Sequence, residues 1–345
     1  MMENAIIELE GLSKNYGSVR AVEDLNLKIN KGEIFGLLGP NGAGKTTTIL
    51  MMLGLTEPSS GRAMVCGINA TRNPIDVKRK VGYMPDSVGF YDGLTAFENL
   101  KYIGRLNGIP EDEIEERASS MMGLVGLGNE KDKKTSVYSR GMKQRLGLAD
   151  VLIKEPEVII LDEPTLGIDP SGVREFLSLI HQLSRQQGLT VLISSHHLHQ
   201  VQQVCDRVGI FVKGKLLVEG NIESLSRNLF GEESYVVVVD VKEDLSGRNN
   251  FVEELQGLAG IKSVELNRSS IQVSSANDMT PEIVKFFVMN GLNVMGVRKK
   301  EYGLDEIYHR YFENNQTNKE AGMRSENLFQ RAFFKKNDAG RTNTK

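Results

Sequence analysis

Cysteine is scarce and tryptophan is absent: the 345 residues hold two cysteines, Cys66 and Cys205, and no Trp. Two thiols so far apart in the chain supply neither a disulfide framework nor a cysteine-based zinc site, and a reducing compartment is the expected setting. Long apolar runs are missing as well. One of the longer uncharged stretches, Thr46 to Thr56, falls well short of the ~20 apolar residues that a bilayer requires of a helix. The start, Met1-Met2-Glu3-Asn4, lacks the basic run and apolar stretch of a secretory signal. A cytoplasmic protein is expected, with any membrane role exercised through a partner. Nor does one sign of charge dominate: 42 basic against 45 acidic side chains leave a net charge of -3. That balance excludes a globally polybasic nucleic-acid binder, and no nucleic acid is expected as partner. What remains is the composition of an ordinary folded protein, 40% hydrophobic and 25% charged, long enough for one large domain or two.

Along the first forty residues, short apolar runs (Ile6 to Leu9, Ala21 to Ile29, Ile34 to Leu38) alternate with turn signals at Gly17 and Lys31-Gly32, which predicts strands. Thr46 to Leu55 reads as a helix ending near Gly54 and Pro58. From Asp86 to about Tyr138 the pattern turns helical, with Ala96 to Leu106 and Glu111 to Met122 carrying apolar residues at helical spacing. Glu157 to Leu161 and Leu189 to Ser194 are nearly continuous apolar runs, as parallel strands covered on both faces tend to be, with helices expected between and after them. A second composition begins near Phe230. Tyr235 to Val241 reads as a strand, Phe251 to Leu258 as a helix, Val264 to Val273 as two-periodic, Pro281 to Met289 as a helix and Leu292 to Arg298 as a strand. That order predicts a small α+β sandwich of ferredoxin-like type. From Asn314 onward the chain is polar, with seven basic and three acidic residues, and is expected to be mostly disordered.

Gly39-Pro40-Asn41-Gly42-Ala43-Gly44-Lys45-Thr46 satisfies G-x-x-x-x-G-K-[ST] between a predicted strand and a predicted helix, the context that gives this pattern its meaning. Its glycines let successive backbone N–H groups turn toward phosphate, Lys45 reaches the β- and γ-phosphates, and the Thr46 hydroxyl, with Thr47 beside it, stands at the Mg²⁺ position. Such a loop needs a carboxylate near the metal. Val158-Ile159-Ile160-Leu161-Asp162-Glu163 supplies two at the mouth of a buried strand, Asp162 for Mg²⁺ and Glu163 to orient and deprotonate an attacking water. Asp-Glu-Pro also makes a good loop on its own.

Together with Asp162-Glu163-Pro164-Thr165 and Tyr138-Ser139-Arg140-Gly141-Met142-Lys143-Gln144-Arg145, the phosphate loop resembles the ATP-binding subunits of ABC transporters over roughly residues 4 to 223. The resemblance implies an ABC-type P-loop core over 1–225, with a helical subdomain at about 86–150, an accessory α+β domain over 231–313 and the tail over 314–345. It implies that Tyr16, in Lys14-Asn15-Tyr16-Gly17, stacks on adenine. Ser139 and Gly141 fall in the signature motif that grips the γ-phosphate held by a second subunit, Leu166-Gly167-Ile168-Asp169 in the loop between the two sites, and His196, after Leu192-Ile193-Ser194-Ser195, at the switch position. His196, His197 and His199 are spaced too tightly for a helical zinc pair, and the last two are expected to be solvated helix residues.

Two departures stand out. In Val81-Gly82-Tyr83-Met84-Pro85-Asp86 the γ-phosphate and metal sensor, usually Gln or Glu in the family, is Asp86, one methylene shorter than Glu. The signature carries Arg140 and Met142 in place of the commoner Gly and Gln, a variation that resembles exporters of the ABC-2 class. The resemblance therefore implies ATP and Mg²⁺ as ligands, a second ATP-binding subunit as partner, and an integral membrane permease whose cytoplasmic helices meet Asp86 to Asn99. It implies residence on the inner face of the membrane through that permease. The alternatives are a soluble ABC ATPase acting on ribosome or DNA, whose family members usually carry two P-loops or a long coiled-coil insert, and a binding-only, ATP-latched regulator. In the tail, Leu328-Phe329 and Ala332-Phe333-Phe334 with neighbouring basic residues offer a short amphipathic turn for a lipid surface, although a functionless end is the expectation.

Overall fold

The computed structural model describes residues 5–225, 235–245 and 249–300. It divides into two compact units between Ile222 and Glu223.

In the first unit, strands β1 (Ala5–Tyr16) and β2 (Val19–Asn30) form a long hairpin that β4 (Ser60–Val65) and β5 (Ile68–Asn69) extend into an antiparallel sheet of order β2-β1-β4-β5. The second sheet has six strands in the order β10-β9-β3-β8-β7-β6. They are β3 (Ile34–Leu38), β6 (Val81–Met84), β7 (Val158–Asp162), β8 (Thr190–Ser195), β9 (Arg207–Val212) and β10 (Lys215–Gly220). All neighbours pair in parallel except β9 and β10. Every residue of β3, β7 and β8 is buried, which is why their sequences run nearly unbroken in Ile, Leu and Val rather than alternating. Phe35, Leu37, Ile49, Ile160 and Leu192 belong to the core that joins this sheet to its flanking layers.

Register decides where chemistry can happen. Leu38 lies beside Ser195, Asp162 beside Ser194, and Met84 beside Leu161. The carboxyl ends of β3, β6, β7 and β8 therefore meet at one edge, the place where open α/β sheets bind ligands. Helix α1 (Lys45–Met52) leaves from that edge, starting one residue earlier and ending three earlier than its sequence pattern suggests.

Between β6 and β7 lies the expected helical insert: α3 (Ala96–Leu106), α4 (Glu111–Leu124) and α5 (Arg140–Leu152). A capping box fixes the start of α3, with Thr95 Oγ1 accepting from Glu98 N at 3.1 Å and Glu98 Oε2 accepting from Thr95 N at 2.7 Å. Helix α6 (Pro170–Gln187) packs on the sheet after β7. One stretch escapes the sequence pattern and another departs from expectation. Residues 60–84 contain β4, β5, α2 (Pro74–Lys80) and β6; these elements are short or half-exposed, so their periodicity is weak. After β8, where further helix was expected, only the single turn α7 (Leu198–Val201) precedes the β9–β10 hairpin.

In the second unit, β11 (Tyr235–Val241), α8 (Asn249–Gln256), β12 (Ile261–Asn267), β13 (Ser270–Ser275), α9 (Thr280–Met289) and β14 (Val294–Lys300) follow one another, with an antiparallel sheet of order β12-β13-β11-β14. This is the ferredoxin-like order, with one correction. The run Val264 to Val273 is not one strand but a hairpin whose two-residue turn, Arg268-Ser269, pairs Asn267 with Ser270. That turn contains no Gly, Pro or Asn, so the alternation passes through it unmarked. Val237, Val239, Ile271, Val273 and Phe287 form its core. The expected tail over 314–345, with its Leu328 to Phe334 segment, lies outside the described residues.

Candidate functional site

The phosphate loop leaves the buried end of β3 and turns into α1. Two of its glycines are required by close approach: a Cβ on Gly39 would lie 2.1 Å from Phe211 O, and one on Gly44, at φ 107°, 2.4 Å from Ala21 O. The loop is further tied down by Gly214 N donating to Ala43 O at 2.8 Å. Lys45, 5% exposed, folds back over the loop and donates to Gly39 O at 2.7 Å and Pro40 O at 3.3 Å.

Asp162, at the end of β7, accepts from Thr46 Oγ1 at 2.9 Å through Oδ2 and from the Ser194 hydroxyl through Oδ1. A hydroxyl and a buried carboxylate so placed make an all-oxygen donor pair suited to a hard cation such as Mg²⁺. Glu163 has φ 49°, a left-handed conformation that costs about 1–3 kcal/mol in a residue with a Cβ. That turn coincides with its amide donating to Ser194 O at 3.1 Å. Its Oε2 lies 2.9 Å from His196 Nδ1 and 3.4 Å from His196 N. Its Oε1 is buried without a hydrogen bond, 3.3 Å from Lys45 Nζ.

One cleft of about 610 Å³ gathers Asn41 to Thr47, Asp86, Asp162, Glu163 and His196. Gly39 and Pro40 contribute their carbonyls to Lys45 instead of lining it. Tyr16 is half exposed, carries Lys14 Nζ 5.0 Å from its ring centre, and is not among the lining residues; its cross-strand partner Val19 is, with Arg20 and Ala21. Ser139 and Gly141 line a separate hollow of about 250 Å³ with Ile168 and Asp169. There Ser139 caps α5, its hydroxyl accepting from Met142 N at 3.2 Å. Within one copy, then, the signature residues and the phosphate loop do not share a site.

His197 departs from expectation. It is half-buried, precedes α7 as its N-cap, lies against His196 with ring centres 4.0 Å apart and planes tilted by 40°, and donates its amide to Ser195 Oγ at 3.0 Å. The side chain of His199 lies outside the described residues. Among those residues no group of three or more His, Cys, Asp or Glu is arranged to hold a metal ion. Sequence reading also passed over Ser194, Lys213 and Tyr83, the last two at the cleft. Burial, and then the charges of Asp162 and Asp86, push the Tyr83 phenol up to about 12, so it stays protonated. The one available signal for Ser194 was a hydroxyl ending an apolar strand.

Residues 22–166 match the family model described as ABC transporter. The chain is 38% identical to the bacitracin transport ATP-binding protein BcrA of Bacillus licheniformis, over 88% of this chain and 96% of that one. This chain belongs to the ATP-binding subunits of ABC transporters. It is also 32% identical to the linearmycin resistance ATP-binding protein LnrL of Bacillus subtilis, over 88% and 97% of the two chains. The solved structure of cbiO1 from Clostridium perfringens, part of the ABC transporter complex cbiONQ, superposes with TM-score 0.60 at 30% identity, covering 66% of this chain and 95% of that one. As a member of this family the subunit binds ATP and hydrolyses it. Among the described residues no helix is long and apolar enough to cross a membrane.

Proposed function

We propose that this subunit drives export through a separate integral membrane permease, to which it is bound on the inner face of the membrane, and that it works as a pair of identical ATP-binding subunits. The observation that carries this reading is the convergence of Lys45, Thr46, Asp162, Glu163 and His196 in one cleft while Ser139 and Gly141 stand in another. ATP held by the loop of one copy is completed by the signature of the second, whose helix α5 presents its N-terminus to the γ-phosphate.

In the chemical step, Glu163 takes a proton from the attacking water, and His196, 2.9 Å away, holds that carboxylate and reaches the γ-phosphate. Lys45 exchanges its contacts with Gly39 O and Pro40 O for phosphate oxygens. Thr46 and Asp162, with Asp86 at the rim, would hold Mg²⁺, which when bound neutralises charge on the phosphates. Loss of phosphate removes the charge that holds the pair closed, and the opening is passed to the permease. The loop before α3 suits that contact. Tyr91 is 57% exposed, sits edge-on to Tyr102 with ring centres 5.2 Å apart, and its backbone is anchored by Asn99 Oδ1 at 2.9 Å and Thr135 Oγ1 at 3.0 Å. Tyr16, paired with the cleft residue Val19, takes the adenine. In domain terms, 1–225 is the motor and 231–313 an accessory module. The names of the relatives support an antibiotic as the class of cargo.

The experiment is a mild-detergent pull-down from native membranes with ATP and the Glu163→Gln chain, followed by mass spectrometry. A polytopic membrane protein in stoichiometric amount supports the reading; recovery with ribosomes, DNA factors or no integral partner contradicts it.

A further inference from the structure

We propose that Ser194 and Ser195, consecutive residues at the end of β8, are positioning residues that divide the site between them: Ser194 sets the metal carboxylate, and Ser195 sets the histidine turn. This rests on the ATP and Mg²⁺ reading of the cleft given above. Both side chains are fully buried at the end of a strand whose preceding residues, Val191 to Ile193, are apolar. A buried hydroxyl left unpaired costs about 1–3 kcal/mol, so each of the two must be occupied, and the partners are informative.

The Ser194 hydroxyl donates to Asp162 Oδ1 while Thr46 Oγ1 holds Oδ2. With one donor on each oxygen, the carboxylate cannot rotate about its χ2 axis without breaking a charge-assisted bond. Its remaining lone pairs thus keep one direction. The Ser194 carbonyl accepts from Glu163 N at 3.1 Å, which anchors the strained turn that aims the base. Ser195 works on the other side of the strand end. Its carbonyl accepts from Gly39 N at 3.2 Å, tying β8 to the first residue of the phosphate loop. Its hydroxyl accepts from His197 N at 3.0 Å, which closes the turn that carries His196 toward Glu163. The two carbonyls survive any side-chain change, so the two hydroxyls can be tested separately.

Outer partners of metal-binding side chains are worth about 10–100-fold in metal affinity. In the full-length chain, Mn²⁺ binding in the presence of the non-hydrolysable analogue AMP-PNP, read by electron paramagnetic resonance, should weaken by about that factor in Ser194→Ala. AMP-PNP affinity in EDTA should stay at the wild-type value, which also reports that the variant is folded. Ser194→Thr, which keeps the hydroxyl, should restore Mn²⁺ binding. Ser195→Ala should leave Mn²⁺ and AMP-PNP binding as in the wild type and lower kcat without raising KM. The proposal is overturned by unchanged Mn²⁺ binding in Ser194→Ala, by Ser194→Thr being as defective as Ser194→Ala, or by Ser195→Ala weakening Mn²⁺ as Ser194→Ala does. A wild-type chain that binds AMP-PNP but shows no nucleotide-linked Mn²⁺ removes the metal site itself, and the assignment of Ser194 with it.

Discussion

Lys45 Nζ stands 3.3 Å from Glu163 Oε1, with the two side chains only 5% and 12% exposed. The Lys45 ammonium and the Glu163 carboxylate thus face each other as an ion pair across the cleft. Truncating Lys45 takes the cation from the buried Glu163 carboxylate and leaves it to its His196 contacts, so Lys45→Ala should lose ATP binding and about 3 kcal/mol of stability. Adding Glu163→Gln should return part of that stability without returning ATP binding. Urea unfolding of the two single variants and the double variant measures the coupling; additive losses would contradict the pairing.

Glu163→Gln alone keeps the shape of the side chain but not its basicity. Turnover should fall by about 10²–10⁴-fold while ATP affinity is retained. Phosphate release and equilibrium binding on the same preparation test this, and a loss of affinity equal to the loss of turnover would argue that Glu163 serves binding.

Burial pushes the Asp150 carboxyl up to about 6, with Lys154 pulling weakly the other way. An acid whose folded pKa exceeds its ordinary value near 3.9 binds more protons folded than unfolded between those two values. Stability from this group is therefore greatest below about pH 4 and declines as pH rises through 6. Asp150→Asn should be more stable than wild type at pH 7.5 by about 3 kcal/mol, with the difference vanishing near pH 4. Denaturation midpoints at the two pH values decide it; a difference independent of pH would contradict the assignment.

Gly167, at φ 75°, lies under Arg140: a Cβ there would sit 2.7 Å from Arg140 Cδ and Nε. The loop between the sites and the signature are thereby packed together within one copy. Gly167→Ala should lower ATP turnover with ATP affinity unchanged, and Arg140→Ala in the same chain should recover only the steric part, because the left-handed backbone still disfavours Ala. Full recovery would mean that the conformation of Gly167 is incidental.

Much of the site was legible in sequence because it is written as local strings with fixed backbone requirements. The loop from Gly39 to Thr46 and the Asp162-Glu163 pair each end a wholly apolar strand, and parallel pairing does the rest. Ser194 escaped because its role depends on register with Asp162 across a strand boundary, and no local pattern encodes register. The β12–β13 hairpin escaped because Arg268-Ser269 lacks turn residues. Strand β6 spans only four residues, β4 is exposed over its first three, and β9 is interrupted by Gly209, so none of them carries a clear apolar pattern. Ser139 and Gly141 stand out in the sequence as part of a motif, but only geometry reveals that their hollow is separate from the cleft.

That separation makes one measurement the most direct. Lys45→Ala removes the loop's grip on phosphate, and Ser139→Arg blocks the signature hollow; each chain alone should be inactive. ATP turnover in an equimolar mixture of the two is the measurement. If the site is shared between copies, mixed pairs contain one intact loop facing one intact signature, and activity returns well above that of either chain. No activity above the two separate backgrounds, with both chains folded and mixed pairs detected, would contradict the shared site.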